Sequence, residues 1–305
     1  MHMGSIKINI AGAPISWGVC EVPNWGHQMD PSRVLKEMSE LGLGATEFGP
    51  DGFLPMQPEL KASILKEHNM IAVGGFVPVI LHREDHDPVP AVEKELLSYE
   101  AAGAKVLVLA ANSGIDGYDA KLPVLDDAQW QVLFTNLNRL QEVAAKVGVK
   151  AVLHPHVGTM IETEDHINRV LSGSTIPFCL DTGHMIIGGT DPVDFAQNHA
   201  DRVAHSHLKD VDLSWAKRVQ ANELSYYDAV VKGMYRPLGQ GDVDIRAIVR
   251  SLINSGYDGW FVLEQDNVVH AEPSANEGPI ADARASVEFL KSVIAELQTE
   301  FNQGV

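Results

Sequence analysis

Eight short, continuously apolar runs alternate with eight longer segments of helical period along this chain. The runs are 6–10, 45–48, 71–79, 105–110, 150–154, 176–181, 203–208 and 260–264. The helical segments are 31–41, 58–68, 89–102, 128–147, 164–171, 192–198, 245–255 and 281–301, the last drawn from about 279. Runs apolar throughout, rather than every second residue, are what a strand buried on both faces requires, and such strands belong to parallel sheets. Strict strand–helix alternation predicts a parallel sheet joined by crossover helices. Eight units in about 300 residues is the count of a closed (β/α)8 barrel. The rival, an open doubly wound sheet, usually has fewer strands and a GxGxxG after the first, which this chain lacks. No linker or low-complexity stretch divides the chain, so we expect one α/β TIM-barrel domain over residues 1–305. The opening Met1-His2-Met3-Gly4 reads as a cloning remnant, and His2 is set aside.

A barrel makes a specific demand on sequence: binding residues should stand at the last position or two of several strands. Four successive runs end this way, in His154, Asp181, His207 and Glu264. Taken singly, each has a bland reading. Asp181 can be an N-cap of the next helix, and a lone histidine in an apolar strand can be a hydrogen-bonded core residue. Together they face one cavity, where two carboxylates repel each other and are costly to bury unless a cation joins them. Mixed imidazole and carboxylate donors suit Mn2+ or Co2+ first, then Fe2+ or Zn2+, with Mg2+ less suited to a histidine ligand. Lys209 and His184 follow on the same strand ends, and Glu47, at the end of the second run, shares the mouth of the barrel with them. A metal polarising a carbonyl, with a base to take the adjacent proton, opens isomerisation, epimerisation and dehydration alike.

Bulk properties narrow the partners. With 41 acidic and 23 basic residues the formal net charge is −18, and no Lys/Arg-rich run supplies a nucleic-acid footprint. No apolar run is long enough to span a membrane and no export pattern opens the chain. Two cysteines, Cys20 and Cys179, form no CxxC pair and read as structural residues of a reduced, cytoplasmic protein. Long segments at 11–30, 111–126, 209–242 and 265–280 follow strands, on the side where barrel enzymes carry their sites. In them and nearby, Trp17 and Trp25 can cover a sugar ring or simply pack. Arg236 can hold an oxyanion or a surface ion pair, and His82 has the position for substrate contact.

The motifs CLDTGH (179–184), HSHLKD (205–210), PLGQGDVD (237–244) and FVLEQD (261–266) resemble the xylose isomerase-like TIM-barrel superfamily. HPHVGT (154–159) with Glu162-Thr163, Ala13-Pro14-Ile15-Ser16-Trp17 and Thr46-Glu47-Phe48-Gly49 resemble its inosose dehydratase branch. The likeness runs from about residue 8 to 297. It implies a metal held by one residue from each of strands 5 to 8. Asp181, His207 and Glu264 carry over directly. Where many members place Glu at the end of strand 5, this chain has His154, and Glu162 in the following loop is the alternative first ligand; Glu162 is also a candidate substrate contact. His184 and Lys209 then resemble groups that touch substrate oxygens, and Glu47, across the barrel, a proton carrier. The branch implies a small polyhydroxylated keto substrate: a keto-inositol losing water to a cyclic dione, with His184 or Glu47 as base and His156 or Lys209 as acid. Rivals on the same scaffold are a keto-sugar isomerase or epimerase and a β-eliminating lyase of C-glycosides. A metal-dependent endonuclease is the rival of another class, and the acidic chain argues against it. Barrel enzymes of this size often associate, so a homo-oligomer is expected.

Overall fold

The computed structural model describes residues 8–303. Its strands are β1 (Asn9–Gly12), β2 (Ala45–Thr46), β3 (Ile71–Ala72), β4 (Gly74–Val79), β5 (Val106–Ala111), β6 (Lys150–Leu153), β7 (Phe178–Asp181), β8 (Val203–Leu208), β9 (Asp210–Val211), β10 (Tyr235–Arg236) and β11 (Trp260–Leu263). Nine of them form one parallel sheet in the order β3-β2-β1-β11-β8-β7-β6-β5-β4. The two ends of that order are consecutive pieces of one stretch, separated by Val73. The Val73 amide donates to Thr46 O (3.0 Å) on one side, and its carbonyl accepts from Lys105 N (3.0 Å) and Val106 N (3.2 Å) on the other. The sheet therefore closes on itself at Val73, giving the expected (β/α)8 barrel. Gly74 makes the closure possible: a Cβ there would lie 1.8 Å from Val106 O.

The helices are α1 (Pro31–Glu40), α2 (Pro58–Glu67), α3 (Val89–Ala102), α4 (Asp127–Lys146), α5 (Glu164–Gly173), α6 (Thr182–Ile187), α7 (Pro192–Asn198), α8 (Leu213–Gln220), α9 (Tyr226–Val231), α10 (Ile245–Asn254) and α11 (Pro279–Gln303). Side-chain caps start most of them: Asp30 for α1, Asp191 for α7, Asp244 for α10, and full capping boxes at Asp126–Gln129 for α4 and Thr163–His166 for α5. Among the described residues no helix is long and apolar enough to cross a membrane.

The first strand differs from expectation. Positions 6 and 7 of the run 6–10 lie outside the described residues. The strand continues through Ala11-Gly12, which pair with Val262 and Leu263 of β11. Elements also appear where no periodic pattern was legible: helices α8 and α9 and the antiparallel pair β9–β10 inside the long segment 209–242, and the short α6 directly after β7.

Strand alternation places the site. Leu107, Leu109, Leu153, Leu180 and Phe261 face the helices in the main core. Their neighbours Val106, Val108, Val152 and Cys179 form a separate cluster inside the barrel, and Ala11, Ala45, Val73 and Val262 form another. With a side-chain period of two, the next inward position after Val152 is 154, after Cys179 it is 181, and after Val262 it is 264. The apolar filling of the barrel ends, and the polar residues begin, at one level.

Candidate active site at the mouth of the barrel

His154, Asp181, His207 and Glu264 meet at that level, all buried. His154 Nε2 lies 3.1 Å from His207 Nδ1 and 3.4 Å from Asp181 Oδ2. His207 Nδ1 lies 3.2 Å from Glu264 Oε2 and 3.6 Å from Asp181 Oδ2. The far side of each imidazole is committed. His154 Nδ1 is bound to Pro155 O (2.8 Å), which only a protonated nitrogen can satisfy, so Nε2 carries the lone pair. His207 Nε2 donates to Glu47 Oε1 (3.0 Å), which turns Nδ1 inward. Two ring nitrogens facing each other at this distance need a positive charge between them, either a shared proton or a metal ion.

Asp181 caps the next helix with one oxygen and turns the other toward the cluster. Oδ1 accepts from Gly183 N (2.9 Å) and His184 N (2.8 Å), capping α6. Oδ2 is fully buried and has no hydrogen-bond partner, and it points at the two imidazoles. A carboxylate oxygen that accepts no hydrogen bond, 3.4 Å from the Lys209 ammonium and beside two imidazole nitrogens and a second carboxylate, fits a divalent cation by position and donor chemistry.

The electrostatics agree. Glu47, Asp181, Glu264 and Asp266 are buried carboxylates, and Lys209 is the ammonium set among them. Lys209 Nζ lies 2.7 Å from Asp266 Oδ1, 3.2 Å from Glu264 Oε2, 3.4 Å from Asp181 Oδ2 and 2.9 Å from His184 Nε2. Burial alone would push this ammonium down; Asp181, Asp266 and Glu264 hold it well above the ordinary lysine range. Burial raises the Glu264 carboxyl to about 7, with His207 and Lys209 opposing. Burial also works against charge on His207, yet Cys179, Glu264 and Glu47 lift it well above the imidazole range. The excess of carboxylates draws positive charge inward.

His156 and His184 behave oppositely. Burial and neighbouring positive groups hold both imidazoles well below the ordinary range, so both are neutral. Their rings stack with centroids 3.6 Å apart. His156 Nδ1 is bound to Val157 O (2.7 Å), leaving Nε2 as the lone pair. The cavity is lined by His154, His156, His207, Glu47, Glu264 and Lys209, with Pro14, Ile15, Val19, Phe76 and Tyr118 as its apolar side. His184 sits behind, between His156 and Lys209.

Other expected residues lie elsewhere. Trp17 is buried in packing, donates to Glu37 Oε2 (2.7 Å), and does not line this cavity. Trp25 joins an aromatic roof with Tyr118 and Tyr226. Arg236 pairs with Asp212 (3.2 Å) at the surface. His82 is buried with Nδ1 unpartnered and lines no part of the cavity. Glu162 Oε2 accepts from Gly158 N (3.0 Å), holding the HPHVGT turn rather than reaching the four donors. The PLGQGDVD segment is a cradle: the amides of Gly239, Gly241 and Val243 donate to the Asp210 carboxylate at 2.8–3.0 Å.

Two residues of the site follow from the same alternation and were not singled out. Asp266 is the next inward position after Glu264; its Oδ2 accepts from Tyr226 Oη (2.6 Å). His205 is the inward position before His207, and its Nε2 donates to Glu47 Oε1 (2.8 Å). Tyr118, in the irregular segment after β5, had no sequence signal.

A family model described as xylose isomerase-like TIM barrel matches residues 35–293. The chain belongs to the xylose isomerase-like TIM barrel family. Within it, an inosose dehydratase of Lacticaseibacillus casei (strain BL23) is 30% identical over 303 residues, covering 96% of this chain and 98% of that protein. Among solved structures, an L-ribulose 3-epimerase superposes with a TM-score of 0.70 at 14% identity, covering 97% of this chain and 98% of the other. The IOLI protein, solved with a bound zinc atom, gives 0.68 at 12% identity, covering 95% and 99%. At those identities the two structures speak to the fold, and the xylose isomerase-like barrel built here from strand order is the same one.

Proposed function

We propose that this protein is a metal-dependent hydro-lyase that removes water from a small polyhydroxylated cyclic ketone of the keto-inositol class. The observation that carries the reading is the pairing, in one cavity beside the four-donor cluster, of a neutral imidazole and a charged ammonium. His156 supplies the first and Lys209 the second. Relatives about 30% identical over most of the chain and named inosose dehydratase support the substrate class.

His154, Asp181, His207 and Glu264 would hold a divalent cation, Mn2+ or Co2+ first by donor chemistry, which when bound would supply Lewis-acid polarisation of a ketone oxygen. The residues of the chain do the rest. His156 Nε2 takes the proton from the carbon adjacent to the carbonyl, since a neutral imidazole is ready to accept it. Lys209 Nζ donates a proton to the departing β-hydroxyl, which leaves as water. His184 stacks on His156 and contacts Lys209, and so holds acid and base apart in a fixed geometry. The separation of the two proton affinities by environment is the usual signature of an acid–base pair. This moves the base from Glu47 or His184 to His156: Glu47 lines the cavity, but despite its burial His207 and His205 hold its carboxyl well below the ordinary carboxylate range, which makes it a weak base, and His184 is screened from the cavity.

The test is incubation of metal-stripped protein with scyllo-inosose, with and without Mn2+ or Co2+, followed by mass spectrometry. Metal-dependent loss of one water is expected. An unchanged mass with solvent deuterium incorporated would overturn dehydration in favour of an isomerase or epimerase, because the same proton is removed and returned.

A further inference from the structure

The buried pair Glu47–His205 has no part in the reaction above, and it touches one metal-site residue. Glu47 follows β2, and His205 and His207 lie on β8; in the sheet these strands are separated by β1 and β11. The contact therefore crosses the interior of the barrel. One oxygen, Glu47 Oε1, accepts from His205 Nε2 (2.8 Å) and His207 Nε2 (3.0 Å) together. Glu47 is itself fixed, its amide donating to Gly12 O (3.0 Å). His205 is fully buried and its Nδ1 has no partner. An orphaned acceptor is less costly there than an orphaned N–H, so the His205 proton sits on Nε2, toward Glu47.

We propose that Glu47 and His205 are positioning residues that aim the Nδ1 lone pair of His207 at the metal position and strengthen it as a donor. This rests on the reading of His154, Asp181, His207 and Glu264 as ligands. His205 orients the carboxylate; the carboxylate holds the His207 proton on Nε2 and fixes the ring plane. A carboxylate behind a ligating imidazole raises its basicity, and loss of such a partner typically weakens metal binding about 10–100-fold.

The experiment measures Co2+ affinity and the visible Co2+ spectrum of the full chain, for wild type, Glu47→Gln, Glu47→Asp and His205→Gln, with steady-state turnover alongside. Glu47→Gln is expected to bind Co2+ about 10–100-fold more weakly with a shifted spectrum, and Glu47→Asp to recover part of the loss. His205→Gln, which keeps an N–H donor and leaves every ligand in place, is expected to weaken binding by a smaller factor in the same direction. Wild-type affinity and spectrum in both Glu47→Gln and His205→Gln, with turnover lost in Glu47→Gln, would overturn the positioning role and return Glu47 to proton transfer. That result would leave the metal reading standing. A wild-type chain that binds no Co2+ would overturn both.

Discussion

His154 Nε2 and His207 Nδ1 face each other at 3.1 Å, with the outer nitrogen of each ring already bound. Neither ring can turn to relieve the approach without breaking a buried hydrogen bond. The geometry favours His154 over Glu162 as the first of the four proposed donors, because Glu162 Oε2 is taken by the Gly158 amide. His154→Gln is expected to lower metal affinity by about 100-fold or more, the scale of an outer-shell loss or greater. Glu162→Gln is expected to leave affinity unchanged and to loosen the Gly158 turn. Isothermal titration of both variants with Mn2+ decides between them; a reversed order of effects would move the ligand to Glu162.

Protons compete with the cation for the same atoms. Glu264 is raised to about 7 and His207 well above the imidazole range, so both hold protons at mildly acidic pH. A metal must displace them. Affinity is therefore expected to be weak below pH 7 and to strengthen as pH rises, by about tenfold per pH unit for each proton displaced. Titrations in buffers of different ionisation enthalpy should show proton release on binding. Affinity flat from pH 6 to 8 would contradict this.

Lys209 is the ammonium beside Asp181, Glu264 and Asp266. Lys209→Met removes the proposed acid and leaves buried carboxylates unpaired. Turnover should fall about 10²–10⁴-fold, the range of a lost general acid. The fold should lose about 3–5 kcal/mol, read by urea denaturation at neutral pH. Full turnover in this variant would remove Lys209 from the chemistry.

Gly74 tests the closure of the barrel independently of the site. A methyl group there meets Val106 O at 1.8 Å, and the neighbour is backbone, so it cannot move aside cheaply. Gly74→Ala should destabilise the protein by about 3 kcal/mol, measured as a shifted denaturation midpoint. A neutral result would mean that β4 and β5 have room to separate at the seam.

The barrel was legible because its strands are buried on both faces, as in β5, whose six residues are all buried. The candidate donors were legible as polar residues ending apolar runs: His154, Asp181 and Glu264 each stand one inward step beyond an apolar residue of the barrel interior, and His207 one step beyond the buried His205. What escaped has physical causes. Helices α6 and α9 are six residues long, too short to show a period. The site-lining Tyr118 belongs to an irregular segment, placed by contacts with Trp25, His156 and Tyr226 that come from distant parts of the chain. Asp266 and His205 were readable by the same two-residue step, and lay hidden beside more obvious neighbours. Of the two readings open for Trp17 the structure has the packing one: its indole N–H donates to Glu37, an acceptor on α1, and the ring is buried with it.

Each of the four donors reaches the cluster from a different strand, β6, β7, β8 and the end of β11, and those strands are successive in the sheet. The cluster therefore exists only when half the circumference of the barrel is in register, because a slip by one residue would turn a donor outward. An ion bound there binds the folded chain and not the unfolded one, adding about 2.7 kcal/mol at a hundredfold excess over its dissociation constant. On the proposed reading the donor cluster is a gauge of strand order: how tightly it holds a cation reports whether the chain has folded in the right register.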